Sequence, residues 1–213
     1  MRAVSGRNTI PSKESFSTYD ELLDILIQEK SPTKEDMLNI ENTFSTLRDI
    51  ISIALPGVEF DLLIYGSAVN GLGVRSGESD LDLSLLVKST LNEDDLIIQQ
   101  QDELNILLRV AYYIQKGHKR YTAKDPYTTT FGHLLEIYDS NFDIQIELTL
   151  NKIVEVYNSW LIFQYAVYDR RFQSLAILLK LWNKKYFSTA ANNANKFIRL
   201  NSYSLTLMLV AYL

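Results

Sequence analysis

The sequence predicts an α+β protein in which helices enclose a small block of strands. Apolar residues recur at helical spacing in residues 19–55, and again from residue 152 to the last residue. Between these segments, short apolar stretches are separated by glycine-rich or polar turns, which is typical of strands. Helices on both sides of a strand-rich centre indicate an α+β unit in helical surroundings.

Size and composition place the chain among globular proteins. Its 213 residues are 46% hydrophobic and 22% charged, which allows one large domain or two small ones. The absence of cysteine excludes disulfides, zinc fingers and thiol catalysis, and two histidines argue against a serine-type triad. The longest apolar stretch, residues 205–213, is far short of the roughly 20 residues that span a bilayer, and no secretory signal follows Met1. We therefore expect a soluble, intracellular protein.

The first 55 residues predict a loose end followed by two helices. Residues 1–18 lack periodicity, so we expect them to be disordered or loosely held. Residues 19–55 are expected to hold two N-terminal helices, the second capped by Thr33, with Glu35 and Asp36 in its first turn. The apolar face of this second helix comprises Met37, Ile40, Phe44, Leu47 and Ile51.

Residues 56–151 carry the strand patterns and are predicted to form one domain. Residues 58–65 read as a strand that stops at Gly66-Ser67, and a glycine-rich connection leads to a second strand over residues 81–87. A helix over residues 92–116 and a hairpin of residues 134–138 and 142–150 follow. Residues 152–213 are expected to form a second, helical domain with a polar break around residues 189–195.

The sharpest chemical signal lies where the first two predicted strands meet their loops. Asp80 and Asp82 are two residues apart on a strand, so their carboxylates leave the same face, roughly 6–7 Å apart. Carboxylates at that spacing can share one Mg²⁺ or hold a pair of ions. Ser67 follows a strand and Gly66, where backbone N–H groups can turn outward to meet phosphate oxygens. A triphosphate cradle and metal ligands are thus predicted on neighbouring strands.

These residues resemble the signature of the polymerase-β-like nucleotidyltransferases. More narrowly, they are similar to the noncanonical poly(A) polymerases and terminal uridylyltransferases. The resemblance rests on Tyr65-Gly66-Ser67-Ala68-Val69-Asn70-Gly71-Leu72-Gly73 and on Ser79-Asp80-Leu81-Asp82-Leu83. It implies a palm with a mixed sheet and helices, packed against a helical central domain of the poly(A)-polymerase-associated type. That central domain is expected to be incomplete at its C-terminal side in this chain.

Further residues downstream extend the resemblance. In the family, two lysines one helical turn apart and a serine bind the triphosphate, a tyrosine stacks on the base, and an Asn-Thr pair contacts the ribose hydroxyls. The resemblance assigns these roles to Lys180 and Lys184, to Ser202 and Tyr203, and to Asn158 and Ser159. The spacing of the lysines agrees, since residues i and i+4 share a helix face. Trp182, between the lysines, is expected in the core.

The family places a third carboxylate on a separate strand, where it is a metal ligand and a base for the 3′-hydroxyl. Asp143 and Glu147 are the candidates, and both are predicted on one face of the strand over residues 142–150. They are roughly 13 Å apart along that strand, so only one can reach Asp80 and Asp82. Residue type favours Asp143, because the family normally uses aspartate. Spacing to the following asparagine favours Glu147, which we choose, with Asp143 as the runner-up.

The resemblance implies a template-independent RNA 3′-terminal nucleotidyltransferase that uses UTP or ATP, with Mg²⁺ or Mn²⁺ as cofactor. The expected metal ligands and catalytic acids are Asp80, Asp82 and Glu147. The alternative is a catalytically silent scaffold or RNA-binding subunit of a larger RNA-processing complex. It is supported by the apolar pattern of residues 204–213, which predicts a helix in need of a partner surface. We therefore also expect another protein chain that completes the helical domain, and no membrane partner.

Positive charge indicates where RNA would bind. The net charge is −5, yet from Tyr165 onward seven lysines and arginines stand against the single acid Asp169. A second basic group contains an aromatic residue and could hold an RNA backbone. The favoured interpretation of this group is a solvated loop. This second group is Lys116, His118, Lys119, Arg120, Tyr121 and Lys124.

Overall fold

A computed structural model describes four segments of the chain: residues 19–75, 80–87, 100–190 and 201–213. The predicted loose end at residues 1–18, Ser79, the first part of the predicted helix over residues 92–116, and most of the predicted break at 189–195 lie outside these segments.

Two N-terminal helices form as predicted, α1 (Tyr19–Lys30) and α2 (Lys34–Ala54). Thr33 caps α2: the backbone N–H of Asp36 donates to its hydroxyl at 3.1 Å, and its own backbone N–H donates to the Asp36 carboxylate at 2.7 Å. The prediction for Met37 is wrong, because its side chain is 61% exposed. Leu47 and Ile51 are buried as predicted, Ile50 is buried with them, and Ile40 and Phe44 are partly buried against the same core.

The strands form one mixed sheet, as predicted. The strands are β1 (Phe60–Tyr65), β2 (Leu81–Val87), β3 (Tyr121–Ala123), β4 (Tyr127–Thr129), β5 (Gly132–Asp139) and β6 (Ile144–Leu150). Their order is β1-β2-β6-β5-β3, with β4 also paired to β5. Only the central pair β2–β6 is parallel among the described pairings. The short strands β3 and β4 are absent from the sequence prediction, because three residues are too few to establish an alternation.

Four further helices complete the described fold: α3 (Gln100–Gly117), α4 (Ile153–Tyr168), α5 (Arg170–Ala190) and α6 (Ser202–Tyr212). The sequence pattern does not predict the break between α4 and α5. Asp169 makes it, since the Asp169 backbone is extended and its carboxylate accepts a hydrogen bond from the Arg171 backbone N–H at 2.9 Å. No helix in the described segments is both long enough and apolar enough to cross a bilayer.

Two apolar cores support these elements. The larger one packs α2 and α3 against the sheet through residues such as Leu47, Leu83, Leu107 and Leu148. The smaller one lies among α4, α5 and α6, and the connection after β1 contributes Leu72 and Val74 to it. The glycine-rich connection therefore joins the sheet to the helical part of the molecule.

An ion pair at the β5–β6 turn ties this hairpin to α2. Asp139 is fully buried, and Arg120 donates to its two oxygens at 2.9 and 2.6 Å. The Thr43 hydroxyl of α2 adds a hydrogen bond of 2.7 Å. Arg120 therefore pairs with Asp139 and Tyr121 is buried in the larger core, so the solvated-loop interpretation of the basic group is wrong for these two residues.

Removing the Asp139 charge should destabilise the fold. Asp139→Asn is expected to lower the free energy of unfolding by about 3 kcal/mol or more, because it leaves the Arg120 guanidinium without its carboxylate partner. Burial raises the pKa of Asp139, but the hydrogen bonds from Arg120 and Thr43 outweigh it, and the pKa lies below its ordinary value. The stabilisation is therefore present above about pH 4 and is lost as pH falls through the folded-state pKa.

Urea unfolding monitored by circular dichroism at pH 7 and pH 3 measures this effect. Asp169→Asn is the control, because Asp169 pairs with the exposed Arg171 and little change is expected. Equal unfolding midpoints for the Asp139→Asn variant and the wild type at pH 7 would contradict the role of this pair.

Candidate active site

The turn after β1 is packed directly against a carboxylate of β2. Residues Gly66–Ala68 form a single 3₁₀ turn, and Gly66 has a φ of +71°. A Cβ atom at this position would lie 2.0 Å from Oδ2 of Asp82. Both the backbone conformation and the close approach therefore require glycine here.

Strand register aligns the acidic residues across the sheet. Tyr65 of β1 pairs with Asp82 of β2, Asp82 pairs with Glu147 of β6, and Glu147 pairs with Glu136 of β5. Paired residues on adjacent strands point to the same face, about 4.8 Å apart along the hydrogen-bonding direction. We call Asp82, Glu147 and Glu136 the acidic row. Asp80 lies two residues before Asp82, next to the start of β2.

Of the two candidates for the third acid, the structure brings Glu147 next to Asp82. Asp143 precedes β6 and lies in the hairpin turn with a φ of +56°, so the predicted strand over residues 142–150 begins too early. The Asp143 carboxylate accepts a hydrogen bond from the Tyr138 hydroxyl at 2.9 Å, close to that turn. The catalytic role of Glu147 stays a prediction.

Burial and mutual repulsion shift the acids at this face. Burial, with the charges of Glu147 and Asp80, raises the pKa of Asp82 to about 7, and Lys180 acts in the opposite direction. The pKa of Glu147 is raised by burial and then by Asp80 and Glu136. Acidic residues with shifted pKa values beside a cleft are typical of functional sites. Here the carboxylates of Asp80, Asp82 and Glu147 outnumber Lys180, the positive charge that acts on Asp82.

The chemistry of this donor set fits a divalent cation. Carboxylate oxygens are the ligands that Mg²⁺ and Mn²⁺ prefer, and a cation would relieve the repulsion among Asp80, Asp82 and Glu147. Within the segments that the structure describes, no group of three acidic or histidine side chains is already arranged to hold a metal ion. Holding a cation between these three residues would therefore require their side chains to turn toward one another.

A cleft of ≈ 470 Å³ opens beside Asp82, between the end of β1 and helices α4, α5 and α6. Eight predicted site residues line it: Gly66, Ser67, Asp82, Asn158, Ser159, Lys180, Ser202 and Tyr203. Asp80, Glu147 and Lys184 are outside its lining, and Asp80 instead faces a small cavity of ≈ 50 Å³ that Ser67 also lines. The cleft thus joins the predicted phosphate loop to the predicted base platform.

Lys180 provides positive charge on the wall of the cleft. Its ammonium group lies 3.5 Å from the backbone oxygen of Leu72. Burial lowers the pKa of Lys180, Asp82 raises it, and Lys184 lowers it, with the net shift downward. Lys184 is therefore close enough to influence Lys180 electrostatically, as the i,i+4 spacing predicts. Trp182 is 50% exposed, so its expected core position is wrong.

Ser159 links the predicted phosphate loop to α4 by a hydrogen bond. Its hydroxyl accepts a hydrogen bond from the Gly66 backbone N–H at 2.7 Å and donates one to the Glu155 backbone oxygen at 2.7 Å. This hydroxyl is buried and already engaged on both sides. The sequence resemblance assigned Ser159 to a ribose hydroxyl, whereas its contacts here hold the loop in place.

Sequence reasoning missed several residues that shape the cleft. The Tyr65 hydroxyl lies 3.3 Å from the Thr149 hydroxyl, and burial raises the pKa of Tyr65 to about 12. Asn70 accepts a hydrogen bond from the Leu72 backbone N–H at 2.9 Å, and Gln173 donates to the Gly71 backbone oxygen at 2.8 Å. The position of Tyr65 directly before Gly66-Ser67 could have indicated that it lies beside the cleft. Nothing local in the sequence indicates the partner of Gln173.

Comparison with known proteins gives a consistent result. A family model described as the central palm domain of poly(A) RNA polymerase, mitochondrial-like, matches residues 20–167. Poly(A) RNA polymerase gld-2 of Caenorhabditis elegans is 31% identical over 173 residues, which cover 78% of this chain and 14% of gld-2. Poly(A) RNA polymerase GLD2 of Homo sapiens is 30% identical over 163 residues, covering 71% of this chain and 30% of GLD2.

Solved structures agree with this match. The GLD-2/RNP-8 complex contains a chain with 27% identity and a TM-score of 0.72, and the match covers 90% of this chain and 54% of that one. A Cid1 poly(U) polymerase structure has a TM-score of 0.69 at 21% identity, covering 91% of this chain and 54% of Cid1, and it shows the fold alone. The chain spans about half of these solved chains and less than a third of the two curated relatives.

The close packing at Gly66 leads to a mutational prediction. Gly66→Ala should weaken nucleotide binding at least about tenfold, because the new methyl group must displace the Asp82 carboxylate or the turn itself. Gly57→Ala is a matched control, since Gly57 also has a positive φ, +76°, but a Cβ atom added there would meet nothing within 4 Å. Both variants bear a similar backbone penalty of about 1–2 kcal/mol.

Fluorescence titration with ATP and UTP measures this binding, and circular dichroism reports folding. Similar nucleotide affinity for the Gly66→Ala and Gly57→Ala variants would contradict the importance of the contact between Gly66 and Asp82.

Proposed function

The chain belongs to the noncanonical poly(A) polymerase family, and we propose that it transfers a nucleoside monophosphate from an NTP to the 3′ end of an RNA without a template. The observation that carries this proposal is the position of Asp82. Its carboxylate is next to Glu147 in the acidic row, touches the turn at Gly66, and lines the same cleft as Lys180. Asp82, the residues predicted to bind phosphate and the predicted aromatic platform therefore line one cleft.

In this proposal the protein positions the triphosphate at one end of the cleft. Ser67, together with Lys180 and Ser202, contacts phosphate oxygens, and Lys184 adds positive charge from the next turn of α5. The RNA 3′-oxygen forms a bond to the α-phosphorus while the bond to the β-phosphate bridging oxygen breaks, and pyrophosphate leaves. Holding both reactants in line supplies much of the rate enhancement.

In this proposal the acidic residues accept the proton of the 3′-hydroxyl and provide the negative charge that would bind a cation. Glu147 is suited to accept the proton of the 3′-hydroxyl, since it stands beside Asp82 at the face that the RNA end must reach. Mg²⁺ or Mn²⁺ held by Asp80, Asp82 and Glu147 would neutralise the triphosphate and lower the pKa of that hydroxyl when bound. Tyr203 offers a ring on which any base can stack.

Extension of a labelled RNA primer tests this function. Each NTP is offered separately with Mg²⁺ or Mn²⁺, which also identifies the preferred base. Extension by the wild type and its loss in the Asp80→Ala, Asp82→Ala double variant are expected. Extension at the wild-type rate by this double variant would overturn the enzymatic proposal, and absence of extension by the wild type would favour a catalytically silent scaffold.

The third acid is tested in the same assay. Glu147→Gln should slow extension by about 10²-fold or more, because the neutral amide cannot accept the proton and brings no negative charge to a bound cation. Asp143→Asn is the matched control and should stay near the wild-type rate, since Asp143 sits in the turn and contacts Tyr138. The opposite ranking of these two variants would show that Asp143 is the third acid.

A protein partner is the second part of the proposal. The relatives named GLD-2 are found in complexes with RNP-8 and with GLD-3. In this chain, α4 exposes a broad apolar surface that includes Trp160, Val167 and Tyr168, with exposed fractions of 62%, 67% and 92%. Exposed apolar patches of this kind mark protein contacts, and we propose that a second protein chain covers this surface.

Without such a partner, the chain should self-associate. Light scattering at micromolar concentration should show oligomers, and replacing Leu161 and Tyr168 of α4 by lysine should shift the population toward monomers. Leu108→Lys on α3 is the control, because it replaces a similarly exposed leucine elsewhere. A monodisperse wild-type monomer would contradict this prediction.

A further inference from the structure

The side chain of Tyr65 crosses a neighbouring strand on the face of the sheet that carries the acidic row. Tyr65 lies opposite Asp82 on β2, and Asp82 lies opposite Glu147 on β6. The next register position on this face pairs Ser84 of β2 with Thr149 of β6. The Tyr65 hydroxyl is 3.3 Å from the Thr149 hydroxyl. Because Tyr65 starts on β1, its ring has to extend over β2, between Asp82 and Ser84.

The hydrogen bond between the two hydroxyls of Tyr65 and Thr149 has a defined direction. The Thr149 hydroxyl donates its one proton to the backbone oxygen of Leu83 at 3.1 Å. Thr149 is therefore the acceptor toward Tyr65, and the Tyr65 hydroxyl is the donor. Thr149 is only 8% exposed, and Ser84 is fully buried. The tip of the Tyr65 ring is thus tethered over a buried part of the sheet.

Two acids of the acidic row border this ring. Burial raises the pKa of Tyr65 to about 12, and the charges of Asp82 and Glu147 add to this effect, so both carboxylates are within electrostatic reach of its hydroxyl. The ring occupies the space over β2 into which both acids could otherwise turn, toward the C-terminal ends of β2 and β6. The Asp82 carboxylate lies on the opposite side, against the turn at Gly66.

We propose that Tyr65 is a positioning residue for the cation ligands: its tethered ring keeps the carboxylates of Asp82 and Glu147 directed toward the predicted phosphate loop. This inference rests on the proposed function. Without the hydrogen bond to Thr149, the ring can swing away from β2, and the two carboxylates gain orientations that do not hold one cation between them. The affinity for a cation then falls in proportion to the population of the competent orientation.

Binding of Mn²⁺ alone tests this proposal independently of catalysis. Electron paramagnetic resonance measures free Mn²⁺ in titrations of the wild type, of the Tyr65→Phe, Thr149→Val and Thr149→Ser variants, and of the Tyr65→Phe, Thr149→Val double variant. Phenylalanine keeps the ring and removes only the hydroxyl, valine removes the acceptor at a similar shape, and serine keeps the acceptor. Circular dichroism reports whether each variant is folded.

Tyr138→Phe is the matched control. Tyr138 of β5 points to the same face of the sheet as the acidic row, since it lies two residues after Glu136. Its hydroxyl donates to the Asp143 carboxylate in the hairpin turn at 2.9 Å. The control therefore makes the same substitution and removes the same kind of hydrogen bond, away from Asp82.

Tyr65→Phe and Thr149→Val should each weaken Mn²⁺ binding about fivefold, the scale of one hydrogen bond. The double variant should bind no more weakly than either single variant, because both substitutions remove the same interaction. Thr149→Ser and Tyr138→Phe should bind Mn²⁺ like the wild type. In primer extension, the Tyr65→Phe variant should need about fivefold more Mn²⁺ for its half-maximal rate and should reach the wild-type rate at saturation.

An unchanged Mn²⁺ affinity in the Tyr65→Phe variant would overturn the proposal, and so would an equal loss of affinity in the Tyr138→Phe control. A wild type that binds no Mn²⁺ would overturn it as well. A wild type that binds Mn²⁺ but extends no primer would contradict the proposed transferase reaction, while the Mn²⁺ titrations would still decide the role of Tyr65. The two failures therefore give different results.

Discussion

The parallel pairing of β2 with β6 places two carboxylates side by side, since Asp82 and Glu147 share one register position. Burial raises the pKa of both residues, and the charges of neighbouring acids add to the effect. Such an arrangement opposes folding unless something favours the charged acids. Lys180 of α5 favours the charged form of Asp82, and the proposed cation would offset this concentration of negative charge further.

Helix α4 connects the turn beside the acidic row to α6 through two neighbouring residues. Ser159 holds the turn at Gly66, while Asn158 contacts Tyr203 on α6. The turn at Gly66 and the first turn of α6 are therefore linked by hydrogen bonds that pass through one turn of α4. These contacts hold residues that are far apart in the sequence in a fixed geometry around the cleft.

Local patterns predicted much of this structure. Apolar spacing and Thr33 indicated both N-terminal helices, and alternation indicated β2 with its correct bounds. Two features did not follow from local patterns. The contact between Arg120 and Asp139 joins a loop to a distant turn. The break at Asp169 lies inside a segment that the apolar spacing predicts to be continuously helical. Ser159 lines the cleft, and its hydrogen bond with the Gly66 backbone N–H did not follow from the sequence, because residue type does not reveal which partner a hydroxyl binds.

Glu147 and Asp82 repel each other at a site suited to a cation. Thermal unfolding of the wild type and of the Glu147→Gln variant, with and without Mn²⁺, measures this repulsion and its relief. Without Mn²⁺ the variant should have the higher Tm, and Mn²⁺ should raise the Tm of the wild type more than that of the variant. A lower Tm for the variant without Mn²⁺, together with equal Mn²⁺ effects on both proteins, would contradict it.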